Sequence, residues 1–258
     1  MKNINLFLIT AILTFTTIYS QNIKSPSEFL GYELGTQFSR HNQVVDYFKY
    51  VSSKFSTKVV LEKYGETNER RPLYITYISS ENNIKNLEKI RNNNLNNAGM
   101  DGIKDDNYDS TAIVWLSYNV HGNESSSTEA AMKTLYMLVT ENSDWLENTL
   151  VILDPCINPD GYVYNQTTNP NGGGMWRKNR RLNSGGSYGV DLNRNYSYGW
   201  GTTGTSFTQT SETYCGTAAF SEPETQAMRW LVQNHRFVTA FNAHTYAEDI
   251  LFPIGTTT

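Results

Sequence analysis

Helical and strand periods take turns along this chain. Val44, Val45, Phe48, Val51 and Phe55 recur at helical spacing and predict a helix opened by Ser39. Lys58 to Tyr64 alternates as a strand that ends at Gly65, and Pro72 to Ile78 reads as a second. The two predict a hairpin across Gly65-Glu66-Thr67-Asn68. Ile84, Leu87, Ile90 and Leu95 predict a polar surface helix, followed by a loop from Asn96 to Ser110. The run Ala112-Ile113-Val114-Trp115-Leu116 reads as a buried strand. Ser126 to Thr140 is a helix with Ala130, Ala131, Leu135, Leu138 and Val139 on its apolar face, and Ser126 with Glu129 predicts a capping box. Leu150 to Asp154 is another buried strand. A glycine-rich region from Pro155 to about Phe220 reads as long and loop-rich, and long loops inside a domain are commonly functional. Glu222 to Asn234 is a helix with Ser221 as cap and Pro223 in its first turn. Phe237 to Ala243 is a strand ending at His244, and Leu251 to Ile254 a short further strand. Strands alternating with helices predict an α/β fold: a mixed, mostly parallel central sheet with helices on both faces.

The connection between the Ala112 strand and the Ser126 helix carries the first candidate chemistry. It reads Tyr118-Asn119-Val120-His121-Gly122-Asn123-Glu124-Ser125. Ligands of open α/β sheets bind at the carboxyl ends of strands. Imidazole nitrogen and carboxylate oxygen are both zinc ligands, and His121 and Glu124 can converge on one cation. His-x-x-Glu alone is equally a hydrogen-bonded turn, and His244 alone is equally a core histidine. His41 and His235 read as structural, at polar helix ends.

The chain has 258 residues and a net charge of −4, enough for one large domain and without a nucleic-acid signal. Residues 1–20 read as a secretory signal: Lys2, a short apolar stretch from Leu6 to Ile18, and a cleavage point at Ser20-Gln21. That run is short for a membrane span. Residues 21–258 form the domain, which is expected to be secreted, periplasmic or at the cell surface. Cys156 and Cys215 leave one disulfide or two buried thiols open. Three glycosylation sequons start at Asn123, Asn165 and Asn195, and two of them fall inside the motifs discussed here.

Several stretches line up in order: His121-Gly-Asn-Glu124, Asn158-Pro-Asp-Gly161, Trp176-Arg-Lys-Asn-Arg180, Gly189-Val-Asp-Leu-Asn-Arg194, Ser221-Glu-Pro-Glu-Thr225 and His244-Thr-Tyr246. Their joint pattern resembles the zinc metallocarboxypeptidases, the family of pancreatic carboxypeptidase A, over roughly residues 24–258. The resemblance implies one zinc ion held by His121, Glu124 and His244, with water in the fourth position. Zinc would lower the pKa of that water to about 7 and polarise the scissile carbonyl. Arg177 matches the family's oxyanion donor, and its permanently charged fork suits that role. Asn193 and Arg194 match the binders of the substrate's terminal carboxylate, a charge-assisted pairing. Tyr246 matches a substrate-cleft tyrosine. Asn158-Pro159-Asp160-Gly161 reads as structural turn chemistry, and so, without the resemblance, do Asp191, Asn193 and Asn195. The implied partner is the C-terminus of a peptide or protein.

The family's general-base glutamate lies well downstream of the third ligand and has no match here. Glu129 and Glu248 are nearby carboxylates, and neither fits the motif. The chain is therefore expected to be the N-terminal portion of a longer catalytic domain, inactive or weakly active in this form. Two alternatives stay open: a related zinc amidohydrolase acting on cell-wall peptides, and an inactive peptide-binding module of the same fold.

Overall fold

The computed structural model describes residues 23–100 and 111–252. The signal segment and residues 253–258 lie outside them, as does most of the Asn96–Ser110 loop. The described elements are α1 (Pro26–Leu30), α2 (His41–Lys54), β1 (Val59–Glu66), β2 (Pro72–Ile78), α3 (Glu81–Lys85), α4 (Leu87–Asn97), β3 (Ala112–Tyr118), α5 (Ser126–Thr140), β4 (Thr149–Asp154), α6 (Pro159–Thr168), α7 (Pro223–Asn234) and β5 (Thr239–Ala243). No described helix is long and apolar enough to cross a membrane.

The strands form one mixed sheet in the order β1-β2-β4-β3-β5. β1 and β2 pair antiparallel, as the hairpin signal predicts, and β2 pairs antiparallel with β4. β3 runs parallel to β4 on one side and to β5 on the other. The α/β fold with helices on both faces is as expected, with the described pairings divided evenly between the two senses.

β4 shows why the sheet needs both layers. Its Val151 and Leu153 face α2 and α5, packing with Val44, Phe48, Val51, Met132 and Leu135. Leu150 and Ile152 face α4 and α7, packing with Ile90, Met228 and Leu231. A strand covered on both faces has no polar side, hence its unbroken apolar run. Each such side chain contributes about 1.5–3 kcal/mol when fully buried.

Several local expectations are corrected. The region after Pro155 is not all loop: α6 lies within it, with Asn158 as its cap accepting from the Gly161 N–H, and Pro159 in its first turn. Asn86 ends α3 and begins α4, so the single surface helix becomes two. The Ser126–Glu129 capping box is absent. Glu129 instead reaches across the molecule to the N–H and hydroxyl of Ser39 and the N–H of Gly35. Ser39 is thereby engaged, and α2 starts at His41. Leu251 and Phe252 adopt no regular structure.

The topology positions the site. β3 lies between β4 and β5, and Tyr118 at its end is level with Ala243 at the end of β5. The residues that follow each strand therefore emerge side by side, at the point where the strand order reverses, which is where open α/β sheets bind ligands.

Candidate metal centre

The chain leaves β3 through a turn set by Asn119, whose φ of 56° is left-handed. Asn tolerates that region better than most residues. Its side-chain amide donates to the carbonyls of His121 and Glu124, both at 3.0 Å, and closes the turn on itself. A second brace comes from Asn158, whose amide lies 3.3 Å from the Val120 carbonyl and 3.3 Å from that of Arg177. The Gly122 N–H donates to the Arg177 carbonyl at 2.9 Å. Gly122 is required here: a Cβ would stand 2.4 Å from the carbonyl carbon of Gly161.

This frame turns His121 and Glu124 towards His244. His121 Nδ1 is 2.7 Å from Glu124 Oε1. His244 Nδ1 is 3.3 Å from His121 Nδ1 and 3.2 Å from Glu124 Oε2. Ligands of a tetrahedral ion with bonds of roughly 2.0–2.2 Å stand about 3.3–3.6 Å apart, so the three atoms already span such a face. His121 and Glu124 are buried, and Glu124 Oε2 has no hydrogen-bond partner. Two imidazole nitrogens and a carboxylate facing one another, with a buried oxygen left over, fit a cation. Burial pushes the Glu124 carboxyl up, but His121 and His244 outweigh it and hold it at about 2. Burial pulls His121 down, and the carboxylates of Asp191 and Glu124 more than reverse this.

Asp191 carries the far side of His121. It is fully buried, caps the turn Leu192–Arg194 and accepts from the Asn193 N–H. Its Oδ1 lies 3.3 Å from His121 Nε2, an ion-pair approach outside hydrogen-bond geometry. Its Oδ2 accepts from Arg177 Nε at 3.0 Å. Burial raises Asp191, and His121 and Arg177 overcome that to lower it. A carboxylate behind a ligating imidazole fixes its tautomer and orientation and raises its basicity. The turn reading of Asp191 holds and is incomplete. The missed signal is an acid two residues before the candidate pair Asn193-Arg194 in a chain already carrying candidate histidine ligands.

The remaining expected residues divide. Arg177 is tied to the cluster through Asp191. Asn193 and His244 both line a cavity of about 360 Å³, whose walls include Trp115, Val120, Tyr196 and Met228. Arg194 Nε donates to the Gly204 carbonyl and Nη1 to that of Asn193, so the guanidinium lies along the loop. Tyr246 is 96% exposed and stands outside the cavity lining. His41 and His235 stay out of the cluster; His235 is buried beside Tyr77 at the end of α7. Cys156 and Cys215 are free, buried thiols. Asn165 and Asn195 are buried and hydrogen-bonded within the fold, which closes both to glycosylation.

The family model described as zinc carboxypeptidase matches residues 44–258. Carboxypeptidase B of Helicoverpa zea is 29% identical over 248 residues, covering 92% of this chain and 51% of that protein. The crystal structure of carboxypeptidase A from Helicoverpa armigera superposes with a TM-score of 0.69 at 26% identity, over 88% of this chain and 49% of that one. Bovine thrombin-activatable fibrinolysis inhibitor, in complex with tick carboxypeptidase inhibitor, shares the fold with a TM-score of 0.67 at 24% identity, over 84% and 64%. The chain spans about half the length of the curated relatives it matches.

Proposed function

This chain belongs to the zinc carboxypeptidase family, and from that premise we propose that it holds one zinc ion through His121, Glu124 and His244 and acts at the C-terminal peptide bond of peptides. The observation that carries the reading is the convergence of two Nδ1 atoms and a carboxylate at 2.7–3.3 Å, with the buried Glu124 Oε2 lacking a hydrogen-bond partner. Zinc, when bound, supplies Lewis-acid polarisation of a carbonyl and of a water nucleophile.

The chain's own residues do the rest. Asp191 orients His121 and anchors Arg177 by its Nε, so the Arg177 fork is aimed before any substrate arrives. A guanidinium fixed in that way stabilises negative charge developing on a carbonyl oxygen without reorganising. Asn193 and Arg194 receive the terminal carboxylate, for which Arg194 exchanges its bonds to backbone carbonyls for a charge-assisted pair. Tyr246 approaches substrate from the solvent side of the cleft. An N-terminal stretch that reads as a secretory signal supports a location outside the cytoplasm.

Among the described residues, the carboxylates within ion-pair reach of the cluster are Glu124 and Asp191. The first is a ligand, and the second is held by His121 and Arg177. Neither is free to take a proton from water, and a general base contributes about 10²–10⁴-fold. On this reading the described residues bind zinc and a peptide terminus and offer no free carboxylate within reach of the cluster.

The test pairs binding with turnover. A blocked dipeptide should bind the zinc-loaded chain more tightly than its C-terminal amide, and any hydrolysis should stop with a chelator. Equal binding of acid and amide, or hydrolysis that survives chelation, contradicts the proposal.

A further inference from the structure

Away from the metal centre, the start of α7 holds a pair of carboxyl groups with unequal company. Glu222 and Glu224 are both fully buried. Glu222 is well compensated. Its Oε1 accepts from Arg181 Nη1 at 2.5 Å and Ser221 Oγ at 2.7 Å, and its Oε2 from Asn179 Nδ2 at 2.9 Å. Glu224 is not. Its Oε2 shares the same Asn179 nitrogen at 3.2 Å, and its Oε1 has no partner. An ionised carboxylate left in that state is costly, and such groups neutralise by keeping a proton.

Among the described residues, the surrounding elements offer no cation to Glu224. Arg181 is bound to Glu222. From α6 comes Asp160, itself held by Thr67, the Glu69 N–H and Arg71. Tyr196 directs its hydroxyl to Met228 Sδ. β1 meets α7 with Gly65 against Ala227. The charges facing Glu224 are thus Glu222 and Asp160, both negative.

Asn179 carries this pair into the site. Its Oδ1 accepts from the Val190 N–H at 2.8 Å, and its own N–H donates to the Val190 carbonyl at 3.0 Å. Val190 precedes Asp191, which touches Arg177 and His121.

We infer that Glu224 is a neutral carboxylic acid in the native fold, sharing Asn179 with ionised Glu222, and that its proton is a catch. Ionisation on the alkaline side places a second negative charge in the pair and loosens the Asn179–Val190 bracket behind Asp191 and Arg177. Burial, aided by the charges of Asp160 and Glu222, pushes the acid up to about 8, against the pull of its own backbone N–H and of Asn179. The folded state then binds this proton more tightly than the unfolded chain. Glu224's contribution to stability is whole below pH 4.5, falls tenfold in the folding constant per pH unit above it, and is gone by about 8.

The experiment uses the whole 258-residue chain and needs neither metal nor turnover, so it stands or falls apart from the proposed function. Infrared spectra are recorded in an Asp154→Asn background, which removes another buried acid. A carbonyl band of a protonated acid is expected at neutral pH. It should fade as pH passes about 8 and be missing from Glu224→Gln. Between pH 4.5 and about 8, the ratio of urea unfolding constants between the Asp154→Asn chain and its Glu224→Gln derivative should change tenfold per pH unit. Amide exchange at Val190 should rise above that of the derivative on the alkaline side. No band at neutral pH, a band retained in the derivative, parallel unfolding curves, or equal exchange each overturns the inference. Should Glu224→Gln fail to fold, the spectrum of the Asp154→Asn chain alone decides.

Discussion

Gly122→Ala places one methyl group between the two turns that build the metal centre. The added Cβ would stand 2.4 Å from the carbonyl carbon of Gly161, 2.7 Å from its oxygen and 2.8 Å from its Cα. Carbon contacts settle at about 3.5–4.0 Å, so the two backbones must part by about 1 Å. No side chain can rotate aside, because the obstacle is the first turn of α6. That turn is itself braced by Asn158 to Val120, Arg177 and Gly161. Overpacking of this kind costs about 1–3 kcal/mol. Losing the Gly122–Arg177 and Asn158–Val120 hydrogen bonds adds about 0.5–1.5 kcal/mol each. A total of about 4 kcal/mol lowers the melting temperature by about 8–16 °C for a domain of this size. Zinc affinity should fall as well, since the shift moves His121 and Glu124 together. Thermal unfolding by circular dichroism in chelator reads the first effect, and a competition titration reads the second. A variant that melts within about 1 °C of wild type and binds zinc equally well would refute the claim that the two turns are locked backbone to backbone.

Asp191→Asn removes the carboxylate behind His121 and should weaken zinc binding by about 10–100-fold, read by chelator competition; an unchanged constant would strip Asp191 of its positioning role. Asp154 is fully buried and receives hydrogen bonds from Tyr64 and the Cys156 N–H, yet burial dominates and pushes it up to about 7. Its folded-state pKa exceeds the unfolded 3.8, so wild type loses stability as pH rises from 3.8 to about 7. Asp154→Asn should gain on wild type by about 1.4 kcal/mol per pH unit across that window in urea unfolding, and a pH-independent difference would contradict this. Glu129→Ala strands the donors of Ser39 and Gly35. It should cost about 1–3 kcal/mol, and a loss below ~0.5 kcal/mol would mean that the N-terminal segment is not held there.

What the sequence made legible was local or ordered along the chain. The unbroken apolar run of β4 announces a strand covered on both faces, and the strand ends carry His121 and His244. What it hid depends on distant contacts. Glu129 matches a capping box by spacing, but its partner Ser39 lies 90 residues away and wins. α6 has mixed faces and opens on Pro159 and Gly161, so its turn-like start masks a helix. Asp191 looks like a turn former because that is also what it is. Its second role appears only once the fold brings it beneath His121. Arg194 and Tyr246 show the limit of motif matching: the first points its fork at backbone carbonyls and the second at solvent.

The assignment of His121, Glu124 and His244 as ligands is tested most directly by titrating the metal-free chain with zinc, beside His121→Ala, with X-ray absorption on the loaded form. It predicts one zinc per wild-type chain with nitrogen and oxygen neighbours at roughly 2.0–2.2 Å, and loss of tight binding in the variant. Zinc held by His121→Ala at wild-type affinity, or sulfur in the coordination shell, would contradict it.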